Sequence, residues 1–182
     1  MKVLLMENSS PTGRLRQNAA SHRAALLADR IEEGAASLAR FAESLSESEW
    51  QTRVQEGGRY GRSVGVIVHH VASVYPIEID LAQAIARGKS VTDVTWSLVA
   101  ALNSKHAHEQ AGVTKAAAVE LLLRNSREAA DAVREFTDAE LDRAAPFSLA
   151  DGAIVTAQFV IEDHALRHSW HHLARIRAAL GR

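Results

Sequence analysis

The sequence predicts an all-α protein, an antiparallel four-helix bundle with additional short helices, and three observations carry that prediction. Apolar residues recur every three to four positions through several long segments. Only three prolines, Pro11, Pro76 and Pro146, interrupt an alanine-rich chain in which alternating strand patterns are absent. Serine or threonine stands where most of these segments begin, as helix caps do.

Residues 1–20 show no sustained period and read as an N-terminal arm ahead of a helical domain of residues 21–182. Leu27, Ile31, Leu38, Phe41 and Leu45 then recur at helical spacing and define the first long helix. Ser46 followed by Glu49 is a capping-box pattern, opening a short turn around Trp50, which is expected to pack in the core. Residues 53–63 form the most glycine-rich stretch, with Gly57, Gly58 and Gly61 among Arg53, Arg59 and Arg62. These glycines match no phosphate-binding spacing, so the stretch reads as a solvated loop, with presentation of cations to an anionic substrate as the second reading.

Ser63 caps a second long helix that ends near Gly88. Its apolar arc contains Val66, Ile67, Val71, Val74, Ile77 and Leu81, and His70 falls within it. His69 points to the far side with Ser73 and Asp80. Pro76 removes a backbone donor in mid-helix and is expected to bend it. Residues 91–110 form a further helix with Val94, Leu98, Ala101 and Leu102 on one face, and its His106 and His108 read as surface or rim residues. Thr114 caps the next, which is expected to bury Val119, Leu122, Leu123, Ala129, Val133 and Phe136. Thr137 and Glu140 repeat the capping-box pattern.

The final segment, residues 154–180, carries four of the nine histidines. On a wheel of about 100° per residue, Ile161, Ala165, Leu166, Leu173, Ile176 and Leu180 form one apolar arc, with His168 and His172 in it or at its edge. His164 and His171 share the other arc with Asp163, Arg167 and Arg175 and are expected to face water.

His168 and His172 are spaced i, i+4, one turn apart on one face, and can hold two adjacent corners of a metal polyhedron. His70 is the third inward histidine. Three buried imidazoles without partners would be costly, and one divalent metal satisfies all three while leaving a position open, the pattern of a catalytic site. That reading is favoured over three separately hydrogen-bonded histidines. Glu162 is the candidate to bond a ligand's outer nitrogen, but a pairing with arginine is the commoner fate, and it stays outside the site.

The chain has 182 residues, 47% of them hydrophobic and 24% charged, which suits one globular domain. A formal net charge of −1 gives no general attraction to nucleic acid or anionic membranes. There are no cysteines, so disulfides, thiolate metal sites and a cysteine nucleophile are excluded. The opening MKVLLM is too short for a secretory signal, and a cytoplasmic location without membrane association is expected.

Gly61-Arg62-Ser63, continuing through His69-His70-Val71-Ala72, resembles the second-helix motif of the DinB-like (damage-inducible) superfamily. His168-Ser169-Trp170-His171-His172-Leu173-Ala174-Arg175-Ile176 resembles its closing motif, and the likeness spans most of residues 25–180. The resemblance implies a four-helix bundle, commonly dimeric, whose three metal-binding histidines fall on His70, His168 and His172. It also implies kinship with metal-dependent transferases and isomerases that use low-molecular-weight thiols such as mycothiol or bacillithiol.

Zinc, nickel and iron all suit nitrogen ligands. The expected function is therefore a metal-dependent enzyme that activates water or a thiol, as a hydrolase or a thiol S-transferase or isomerase. The expected partners are a small-molecule substrate and a second copy of the chain. A non-catalytic metal-binding stress-response protein is the alternative. No second catalytic residue is identifiable from the sequence.

Overall fold

A computed structural model describes residues 21–55 and 61–182. The arm expected at residues 1–20, and Gly57, Gly58 and Arg59, lie outside the described residues.

The bundle is built from α1 (His22–Glu43), α3 (Val64–Ala86), α5 (Lys115–Arg134) and a C-terminal rod. Shorter helices lie between them: α2 (Glu47–Gln51), α4 (Trp96–Glu109) and α6 (Asp138–Leu141). The rod begins as α7 (Ala157–Val160), passes through a π-helical segment (Ile161–Leu166) and continues as α8 (Arg167–Leu180). Helix α1 packs on α5 and α8, and α3 packs on α5 and the rod. The predicted all-α bundle with extra short helices is the observed architecture.

The caps act where the sequence places them. Ser63 accepts from Val66 N–H, Thr114 accepts from Ala117 N–H, and Ser46 and Thr137 form complete capping boxes with Glu49 and Glu140. Pro76 lies inside α3 without ending it. Its ring leaves the Ala72 carbonyl without the usual i+4 donor, and Asn125 Nδ2 on α5 supplies one instead at 2.8 Å. Helix α3 is apolar enough by composition to cross a membrane, yet 61% of its most apolar window is buried inside the bundle.

Two departures from the sequence reading matter for the site. Among the described residues there are two short antiparallel ribbons, although no strand was expected. β1 (Arg53–Val54) pairs with β2 (Arg62–Ser63), and β3 (Ala144–Pro146) pairs with β4 (Ile154–Thr156). Two or three residues are too few to show alternation, so nothing in the local pattern announces them. The second departure concerns apolar faces: none of α4 is buried, and Leu98 and Leu102, with Ile77 on α3, are largely exposed. Leu123 on α5, expected inside, is also exposed. Helical period identifies an apolar face but not whether another element covers it. Trp50 is in the core as expected, with Nε1 donating to the Val113 carbonyl at 3.1 Å.

Candidate metal centre

His70 arrives from α3, and His168 and His172 from α8. Packing of α3 on the rod brings one ring nitrogen of each within 4.8 Å of the others. The ring centroids are 5.2 Å apart for His70 and His168, 5.8 Å for His70 and His172, and 4.9 Å for His168 and His172, the last two rings being nearly parallel. His70 and His172 are buried, and His168 is half-buried. All three line a cavity of about 950 Å³, within the usual range for small-molecule sites.

Burial is the main cause that pushes the His70 pKa down to about 2; the nearby positive charge of Arg62 and the other histidines adds to it. At neutral pH its ring is therefore uncharged and has a lone pair to offer, as metal ligation requires. His168 Nδ1 donates to Glu78 Oε1 at 2.5 Å, which leaves Nε2 as the ligand atom. Glu78 is only 5% exposed, and its Oε2 is buried without a hydrogen-bond partner among the described residues. A buried carboxylate held against an imidazole is the outer-shell arrangement that a metal-binding histidine uses. Below it, Tyr75 hydroxyl and Ser169 Oγ bond across the helix interface at 2.7 Å and tie the two ligand-bearing helices together. By donor type, burial and support, these residues fit a divalent metal.

Glu162, the outer-shell candidate from sequence, is exposed and bonds Gln158 instead. Glu78 takes that place, and the signal was present: it lies eight residues after His70, two turns on and on the same face, a lone acid among Val74, Ile77 and Leu81.

The outer arc of the last helix borders the cavity: Arg167 and His171 are exposed, as expected of that arc, but His164 is not. His164, Asp163, Arg167, His171 and Arg175 all line the cavity, and the His164 side chain is only 17% exposed. Arg167, His171 and Arg175 lie on α8 beside His168 and His172, whereas Asp163 and His164 lie within the π-helical segment. Its i→i+5 bonding inserts an extra residue per turn, so a wheel of constant angle loses phase between Ile161 and Leu166. His164 stands edge-on to Phe147 at 5.5 Å, and burial keeps its pKa below the ordinary value.

His69, expected to face away, is half-buried, and its Nδ1 lies 2.8 Å from Nε2 of His106. That pair stands beside the triad, with the His106 and His70 rings 5.6 Å apart. His108 is at the cavity rim, as expected.

Two solved structures share this architecture. YfiT from Bacillus subtilis, described as "a probable metal-dependent hydrolase with an unusual four-helix bundle topology", superposes with a TM-score of 0.68 at 19% identity, covering 90% of this chain and 89% of YfiT. The mycothiol-dependent maleylpyruvate isomerase superposes with a TM-score of 0.61 at 16% identity, covering 85% of this chain and 59% of the isomerase. At these identities the likeness is one of fold. No curated protein matches the chain by sequence. The family model of the DinB superfamily matches residues 30–176, most of the chain, and the protein belongs to that superfamily.

Proposed function

We propose that this protein is a metal-dependent enzyme acting on a small molecule, with His70, His168 and His172 as the ligands of a divalent zinc, nickel or iron ion. The convergence of three inward histidine nitrogens from two helices on the wall of one large cavity carries the reading. A metal that only stapled α3 to α8 would have no need of that cavity. The descriptions of YfiT as a metal-dependent hydrolase and of the isomerase as mycothiol-dependent support the two reaction classes considered, hydrolysis and chemistry with a low-molecular-weight thiol.

A divalent ion held there supplies Lewis acidity, lowering the pKa of a water or thiol and making it a nucleophile at neutral pH. The chain's own contributions are distinct. Glu78 accepts the His168 Nδ1 proton and holds that ring's orientation. His164, kept neutral by burial on the cavity wall, is the group placed to take up or return a proton during turnover. A cytoplasmic homodimer is the setting we propose, the location on the sequence reading and the dimer on the family resemblance.

Elemental analysis of protein purified without an affinity tag, beside His70→Ala and His168→Ala variants, tests the metal. The expected result is near-stoichiometric metal in the wild type and loss in both variants. Retention of metal in either variant would overturn the shared site. Turnover of hydrolytic substrates with and without added thiol then separates the two reaction classes. Metal-dependent stability with no turnover would favour the stress-response alternative.

A further inference from the structure

The residues lining the cavity divide by element into two chemical kinds. Helix α4 and the second half of α3 contribute Ile77, Leu81, Trp96, Val99 and Leu102. Ile77, Trp96 and Leu102 are each more than half exposed, apolar surface that the bundle itself leaves uncovered. The β1–β2 ribbon and the last helix contribute arginines: Arg53 and Arg62 from the ribbon, Arg167 and Arg175 from α8.

Acidic groups compensate only part of that charge. Asp163 lies 3.1 Å from Arg167 Nε, and Glu78 is engaged with His168. Arg53 and Arg175 have no carboxylate partner among the described residues. Each bonds a backbone carbonyl instead: Arg53 Nη1 donates to Gly61 O at 2.9 Å, and Arg175 Nη2 donates to Gln55 O at 2.5 Å. Such bonds hold a guanidinium in place without neutralising it. A Cβ on Gly61 would meet the Val54 carbonyl at 2.3 Å, so only glycine lets the ribbon close tightly enough to present its carbonyl to Arg53. A chain with a formal charge of −1 thus holds, at the cavity that contains the histidine triad, two fixed cations with no carboxylate partner among the described residues.

We propose that the cavity selects a small organic anion with an apolar body, Arg53 and Arg175 holding its acidic group and α4 with the second half of α3 covering the rest. This rests on the cavity being the substrate site. Guanidinium groups take carboxylate and phosphate alike through paired N–H donors, so the acidic group is either of these.

The test titrates the full-length protein, as purified, by calorimetry with 4-phenylbutyrate, its uncharged amide, 3-phenylpropyl phosphate and plain butyrate. The measurements are repeated on Arg53→Gln and Arg175→Gln, in which glutamine keeps a donor for the carbonyl and loses the charge. One of the two phenyl acids is expected to bind about tenfold tighter than the amide, the gain of a charge-assisted over a neutral pair. Which one does identifies the acidic group. Butyrate should bind weakly, and each substitution should reduce the preference for acid over amide to about threefold or less. Equal binding of acid and amide to the wild type would overturn the proposal. So would a preference that survives both substitutions, since the metal rather than the arginines would then hold the anion. Metal content, measured on the same samples, reports on the histidine triad separately. A wild type without metal that still prefers the anion retires the metal, not the arginine site.

Discussion

Glu78 offers the sharpest test of how the triad is held. Its carboxylate is buried and bonds His168 Nδ1 at 2.5 Å. A hydrogen bond to a charged group contributes about 1.5–3 kcal/mol, against about 0.5–1.5 for a neutral one. Glu78→Gln keeps an acceptor in the same place and removes the charge, so it should weaken the orientation and basicity of His168 by about 1–1.5 kcal/mol, or roughly five- to tenfold in metal affinity. Glu78→Leu also removes the acceptor and strands the ring N–H, which should bring the loss to about 30–100-fold. Competition for zinc or nickel against a chromophoric chelator at constant pH measures both, with far-UV circular dichroism confirming that each variant is folded. The order wild type, Gln, Leu is the signature. Unchanged affinity in Glu78→Leu would refute the assignment of Glu78 as the group that orients His168.

Three further outcomes follow from the geometry. The pKa of His70 falls from 6.5 in the unfolded chain to about 2 in the fold, so between these values the unfolded chain binds more protons and stability rises with pH. Metal-free protein should be most stable above pH ~6.5 and lose about 1.4 kcal/mol from His70 alone between pH ~7.5 and ~5.5. His69, His106 and His164 are shifted the same way, and urea titrations at the two pH values that showed no loss would contradict the buried neutral ring. Asn125→Ala should destabilise by about 1–3 kcal/mol by leaving the Ala72 carbonyl without its donor. Adding Pro76→Ala restores a backbone N–H and should recover much of that, which a double-mutant cycle in urea checks. Gly65→Ala would place a Cβ 2.6 Å from the ring of Trp50, itself 1% exposed, and should cost about 1–3 kcal/mol with a shifted Trp emission; a neutral result would mean that the ring can move.

Much of the fold is legible in local pattern because its causes are local. Helical period, caps and alanine content act within a few residues, so α1, α3, α5 and the last rod are recoverable from the chain alone, with Ser63 and Thr114 capping α3 and α5 and Ser46 and Thr137 capping the short α2 and α6 as expected. His70, His168 and His172 were legible too, since each falls in or at the edge of an apolar arc, and packing of α3 on the last rod then covers those arcs. Glu78 was readable by the same logic on α3, as the lone acid on the face of His70.

Other features depended on the tertiary structure. The π-helical turn changes the angular phase of the last helix without a mark in the residue pattern, so His164 and Asp163 face the cavity rather than water. Whether the apolar face of α4 is covered depends on what packs beside it, and here it borders a cavity. Arg53 and Arg175 are 122 positions apart in the chain, as their numbers show, and only the packing of the β1–β2 ribbon on α8 brings them to one site. Local sequence determined which residues point inward from each helix; contacts between distant segments decided which of them meet, because helix phase and packing are set jointly by several elements and not by any one stretch.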